Sequence, residues 1–123
     1  MHFKTADVLT VTSGILLGDV DGIYKVCDYM TGVSNFTHML PQAAEKATPY
    51  LLAQHPFLVE ASDNIRSIKE TTDSYNDMLA ALIEYEETCG STLDLVPISE
   101  VDMADYNRAP LSTLAEMMKG RSA

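Results

Sequence analysis

Residues 29–42, Tyr-Met-Thr-Gly-Val-Ser-Asn-Phe-Thr-His-Met-Leu-Pro-Gln, put a helix stop and a helix start into one short stretch. Just upstream, Ile23, Val26, Cys27 and Met30 recur at the spacing that lines up apolar side chains on one face of a helix. Gly32 follows that stripe and, having no Cβ, can take the left-handed conformation that ends a helix. Pro41 has the fixed φ and the missing amide that a first helical turn tolerates, with Asn35 or Thr37 ahead of it as the cap. A chain punctuated this way folds as helices joined by turns, one over about 20–31 and the next after Pro41.

Thr5 as N-cap, Asp7 in a first turn, and Val8, Leu9 and Val11 among hydroxyl residues predict a short helix over 5–13 that Gly14 stops. The β-branched content leaves a strand open there. The loop Gly18-Asp19-Val20-Asp21-Gly22 lacks the alternating carboxylates and the distant glutamate of an EF-hand, so Asp19 or Asp21 reads as a helix cap. Thr48-Pro49 predicts a break or kink with a fresh start, and His55-Pro56 a stop. The longest periodic run spans about 60–89, with Ile65, Ile68, Tyr75, Met78, Leu79, Leu82, Ile83 and Tyr85 on its apolar stripe and Gly90 as its end.

Val26, Met30, Leu79, Leu82 and Ile83 are therefore expected in the core. Thr92-Leu93-Asp94-Leu95-Val96 suits a short strand before Pro97, with no evident hairpin partner. Ser112 caps a final predicted helix over 112–119 that carries Leu114, Met117 and Met118. The expected fold is mainly α: a single compact helical domain over residues 1–123, with at least four helices and at most a small β element near 92–96.

A chain of 123 residues with 46% hydrophobic content can bury a core without metals or disulfides. Its net charge of −10, from 18 acidic and 8 basic residues, argues against direct binding of nucleic acid, which needs clustered Lys and Arg. No run approaches the ~20 apolar residues of a membrane span, and the first residues lack a secretory h-region, so a cytoplasmic setting is expected. Cys27 and Cys89 fall in helical segments and read as buried thiols packed as small hydrophobes.

Chemistry concentrates in the 29–42 turn. Thr31, Thr37, His38 and Gln42 offer the hydroxyl, imidazole and amide groups that orient a nucleotide or sugar, beside a helix start whose amides suit an anionic oxygen. Arg66 or Arg108, delivered from elsewhere, would offset ligand charge. The plainer reading is that Thr37 only caps a helix and His38 satisfies a carbonyl. His2 and His55 have no second ligand at helical spacing, so neither a metal nor another cofactor is expected. There is no Gly-x-Ser-x-Gly turn and no phosphate loop, and Glu84, Glu86 and Glu87 read as a solvated helix face. Binding is expected rather than catalysis, and self-pairing through methionine-bearing apolar faces suggests a homodimer.

The blocks Asp7–Leu17, Tyr29–Gly32, Phe36–Gln42, Pro49–Leu52 and Gln54–Pro56 together resemble a small, functionally uncharacterised protein family of tailed bacteriophages and prophages, over residues 5–60. The chain carries Gln42 where that pattern leads one to expect arginine. The resemblance implies a phage origin and a cytoplasmic setting in an infected bacterium, and brings no known activity. Interference with a host or immune component then becomes the first hypothesis, by sequestering a small nucleotide-like signal through the 29–42 turn. The alternatives are an acidic inhibitor that docks the carboxylates of 73–87 on a basic host defence protein, and a hydrolase of such signals with His38 as general base.

Overall fold

The structure, a computed structural model, describes residues 1–104. Arg108 and the helix expected over 112–119, with Ser112, Leu114, Met117 and Met118, lie outside the described residues. The elements in chain order are β1 (His2–Lys4), α1 (Thr5–Ser13), α2 (Val20–Thr31), a 3-10 turn (Thr37–Met39), α3 (Leu40–Gln54), α4 (Phe57–Thr71), α5 (Tyr75–Cys89) and β2 (Thr92–Asp94). The fold is mainly α with one two-stranded antiparallel sheet, in which Phe3 pairs with Leu93.

α1 is the hub. It packs against α2, α3 and α4, and every one of its residues except Ala6 is buried. A helix so enclosed must satisfy its polar side chains internally, and its hydroxyls do this. Thr10 donates to the Ala6 carbonyl at 2.8 Å and accepts from the Leu17 amide at 2.9 Å. The hydroxyls of Thr12 and Ser62 pair across to α4 at 2.7 Å, and Thr5 donates to the Gly90 carbonyl at 2.6 Å. Thr5 is thus the first residue of the helix and a tether to the α5–β2 link, not the expected cap, because Lys4 holds the N-cap position. Gly14 ends α1 and Gly32 ends α2, both at positive φ as their positions predict.

α2 matches its expected bounds and buries Val26, Cys27 and Met30 completely against α1 and α3. α3 departs from expectation, since Pro49 lies inside one continuous helix and Thr48 caps nothing; its hydroxyl donates back to the Ala44 carbonyl at 2.6 Å. Ala43, Ala47 and Leu51, all fully buried, continue one core-facing stripe across the proline. That shared face outweighs the ~3 kcal/mol an internal proline costs a helix.

The 60–89 run is two helices. Between them Asp73 takes φ +50, and the Ser74 hydroxyl caps α5 by accepting from the Asp77 amide at 3.2 Å. Met78, Ala81 and Leu82 form the buried face of α5, which packs mainly on α4. Leu79 is only partly buried and Ile83 is 53% exposed, contrary to the expected core set, because a helix with one packing neighbour buries only one narrow stripe. Cys89 is likewise exposed, whereas Cys27 is buried as expected.

The strand expected at 92–96 shortens to Thr92–Asp94, and its partner is the distant β1 rather than a hairpin neighbour. The chain beyond it crosses the bundle, held by Gln54, which donates from Nε2 to the Val96 carbonyl at 2.8 Å and accepts the Val96 amide at 2.9 Å. His55 bonds the Asp94 carbonyl through Nε2 at 2.7 Å, Tyr29 donates to the Leu95 carbonyl at 2.9 Å, and the Ile98 amide donates to the Met30 carbonyl at 2.9 Å. Leu93, Leu95 and Ile98 are buried beneath this strap. No helix among the described residues is long and apolar enough to cross a membrane.

Candidate functional site

The 29–42 turn divides into an inner lock and an outer face. Inside, Asn35 is buried and donates to the Asp28 carboxylate through its amide nitrogen at 2.9 Å and through Nδ2 at 2.8 Å. Its Nδ2 also donates to the Thr31 hydroxyl at 3.2 Å, while that hydroxyl donates to the Cys27 carbonyl at 2.7 Å. Thr31 is therefore a buried part of the lock, not a surface group. Its position was legible, since it stands at the last turn of an apolar stripe.

On the outside, Thr37, His38 and Gln42 are all exposed. Thr37 forms part of a 3-10 turn that leads into α3, and neither it nor Asn35 caps that helix. Its hydroxyl pairs with the Tyr24 hydroxyl of α2 instead. Phe36 is 71% exposed and its ring lies nearly parallel to the His38 imidazole, with centroids 6.0 Å apart at 5°. Among the described residues no side chain hydrogen-bonds to that imidazole.

Arg66 does not belong to this face. It stands on α4, donating to the Thr12 carbonyl at 3.2 Å and to the Asp63 carboxylate at 2.6 Å. The structure thus brings together Thr37, His38 and Gln42 and leaves Thr31 beneath them and Arg66 apart. Phe36 and Tyr24 are members of the face that reasoning from polar groups missed. The signal for Phe36 was a lone aromatic in a polar turn, outside every apolar stripe.

A second feature lies at the start of the chain. A cleft of about 560 Å³ is bounded by β1, the first turn of α1 and the Gly18–Lys25 segment. Asp7, 9% exposed, lines it together with Lys4, Asp19, Asp21, Gly18, Gly22 and Lys25. Burial raises the Asp7 pKa above the ordinary aspartate value of 3.8, a rise that Lys4 and Lys25 partly oppose and Asp19 adds to. Asp19 takes the N-cap backbone position of α2 but its side chain caps no amide, and Asp21 sits in the first turn. Among the described residues no three carboxylate, imidazole or thiol groups converge as metal ligands.

Residues 3–61 match a domain of unknown function, DUF7736. No curated protein and no solved structure matches the chain. The matched segment contains the turn face whole and almost all of the cleft lining, while the strap it holds, 92–98, lies beyond it.

Proposed function

We propose that the protein acts by occupancy, taking up the planar ring of a nucleotide-like molecule on the face formed by the turn between α2 and α3. The observation that carries this reading is Phe36, a large apolar ring held 71% exposed and stacked with His38. An aromatic platform already in place gains about 1–3 kcal/mol when a base stacks on it. The hydroxyl pair of Thr37 and Tyr24 and the exposed Gln42 amide flank the ring with donors and acceptors. Residues 29–42 contain no lysine or arginine, so recognition is directed at the ring rather than at phosphate. In the phage setting that the family resemblance implies, capture of such a signal would withhold it from a host defence component.

Titration of the protein with adenosine, guanosine and their cyclic nucleotides, followed by the aromatic and backbone NMR signals of residues 36–42, tests this. Saturable shifts are expected, and Phe36→Ala should abolish them while leaving the fold intact, because the ring is 71% exposed and belongs to no core cluster among the described residues. Equal binding by Phe36→Ala would sink the reading.

A second reading has its own observation. Tyr75, Leu79 and Ile83 follow one another at four-residue steps on α5, with Tyr75 and Ile83 exposed beside the exposed Glu84 and Glu87. An apolar stripe bordered by carboxylates suits docking to a basic protein surface. Glu84→Lys with Glu87→Lys would remove that activity and leave ring binding unchanged.

A further inference from the structure

Asp7 is the most enclosed carboxylate among the described residues, and none of those residues answers it. It accepts no hydrogen bond and makes no ion pair there, although Lys4 and Lys25 line the same cleft. A carboxylate removed from water without partners is costly, and the usual remedy, a donor on a neighbouring element, is missing among the described residues. Its oxygens are not sealed in. No fully enclosed side-chain oxygen or nitrogen among the described residues lacks a partner, so the unpaired Asp7 oxygens open onto the cleft.

The surrounding sequence is shaped to that carboxylate. Gly22 lies within the first turn of α2, where a glycine costs about 0.5–1 kcal/mol relative to alanine. A Cβ at that position would stand 2.1 Å from Asp7 Oδ1 and 2.5 Å from Oδ2, and one at Gly18 would stand 2.9 Å from Oδ1. Two glycines thus leave the room in which the carboxylate sits. The cleft in front of it, about 560 Å³, is of the size that encloses a small organic molecule.

We propose that this cleft binds a small molecule bearing a cationic N–H donor, an amine or a guanidinium, with Asp7 as the acceptor at its inner wall. Asp19 and Asp21 add negative potential at the rim, and Lys4 and Lys25 stand where they can meet an anionic or polar group elsewhere on the same ligand. The binding is charge-assisted, and the pairing with Asp7 fixes the orientation. Nothing in this site depends on the Phe36 face.

Agmatine, which has an amine at one end and a guanidinium at the other, is the probe. Its titration into the full chain, read by amide chemical shifts, should move the Gly18 and Gly22 signals saturably. Asp7→Asn keeps the shape and removes the charge, and should weaken binding about tenfold or more. Gly22→Ala, whose methyl would displace the carboxylate, should weaken it as well. Phe36→Ala should leave agmatine binding unchanged, so loss of ring binding and loss of amine binding are separately visible. No saturable shift in the native protein would overturn the proposal, as would equal affinity in Asp7→Asn, which would mean that Asp19 and Asp21 merely gather cations at the surface.

Discussion

Replacing Gly22 by alanine should destabilise the protein, although the substitution normally strengthens a helix. In open space the methyl would contribute about 0.5–1 kcal/mol by restricting the unfolded chain and favouring the helical backbone. Here the three atoms nearest to the new Cβ all belong to the Asp7 carboxyl, at 2.1, 2.2 and 2.5 Å, distances no real Cβ tolerates. Forcing the short, enclosed side chain aside is an overpacking change of about 1–3 kcal/mol. The net loss is then up to about 2.5 kcal/mol. Asp7→Gly deletes those atoms, and in that background Gly22→Ala should become stabilising by about 0.5–1 kcal/mol. Urea unfolding of the four proteins of this cycle measures both effects, and the difference should be an interaction energy of about 1–3 kcal/mol. If Gly22→Ala stabilises the native background, or has the same effect in both backgrounds, the account of the glycine cradle is wrong.

Leu51→Ala removes a fully buried side chain from the stripe that carries α3 across Pro49, and should cost about 2–5 kcal/mol in urea unfolding; a loss under 1 kcal/mol would show that this stripe does not hold the helix together. Burial raises the Asp7 pKa, so the native state keeps that proton to higher pH than the unfolded chain. The stability this group contributes is present in full below its ordinary value of 3.8 and declines as pH rises through the raised native value. Asp7→Asn should accordingly remove the decline between 3.8 and the raised native value, seen as a smaller fall in urea midpoint between acid and neutral pH, and an unchanged profile would contradict the direction of the shift.

The helical outline was legible because it is written locally. Gly14 and Gly32 stop helices by their own backbone freedom, and the spacing of Val26, Cys27 and Met30 needs no knowledge of what lies opposite. The errors share a different origin. Pro49 was expected to break or kink a helix with a fresh start at Thr48, Ile83 to be buried and the 60–89 run to be continuous, and the absence of a helix start at Thr48, the exposure of Ile83 and the split of the run were decided by which neighbour packs on which face. Local propensity is worth tenths of a kcal/mol per ordinary residue and about 3 kcal/mol at a proline, while burial of each large apolar side chain is worth about 1.5–3 kcal/mol, so a shared buried face decides wherever the two disagree.

The partner of β2 was equally hidden, since nothing in Thr92–Asp94 points to His2–Lys4 across most of the chain. At the candidate sites the same division recurs. Thr37, His38 and Gln42 could be placed on one turn from sequence, because they are neighbours in the chain. The role of Asp7 could not, because it depends on Gly18 from the link after α1 and Gly22 from the first turn of α2 arriving beside it. One local sign did exist. A glycine inside a helical stripe costs stability, and such a position has a reason when another group approaches too closely for a methyl. Gly22 is that position, and the group that approaches it is the carboxylate at the wall of the cleft.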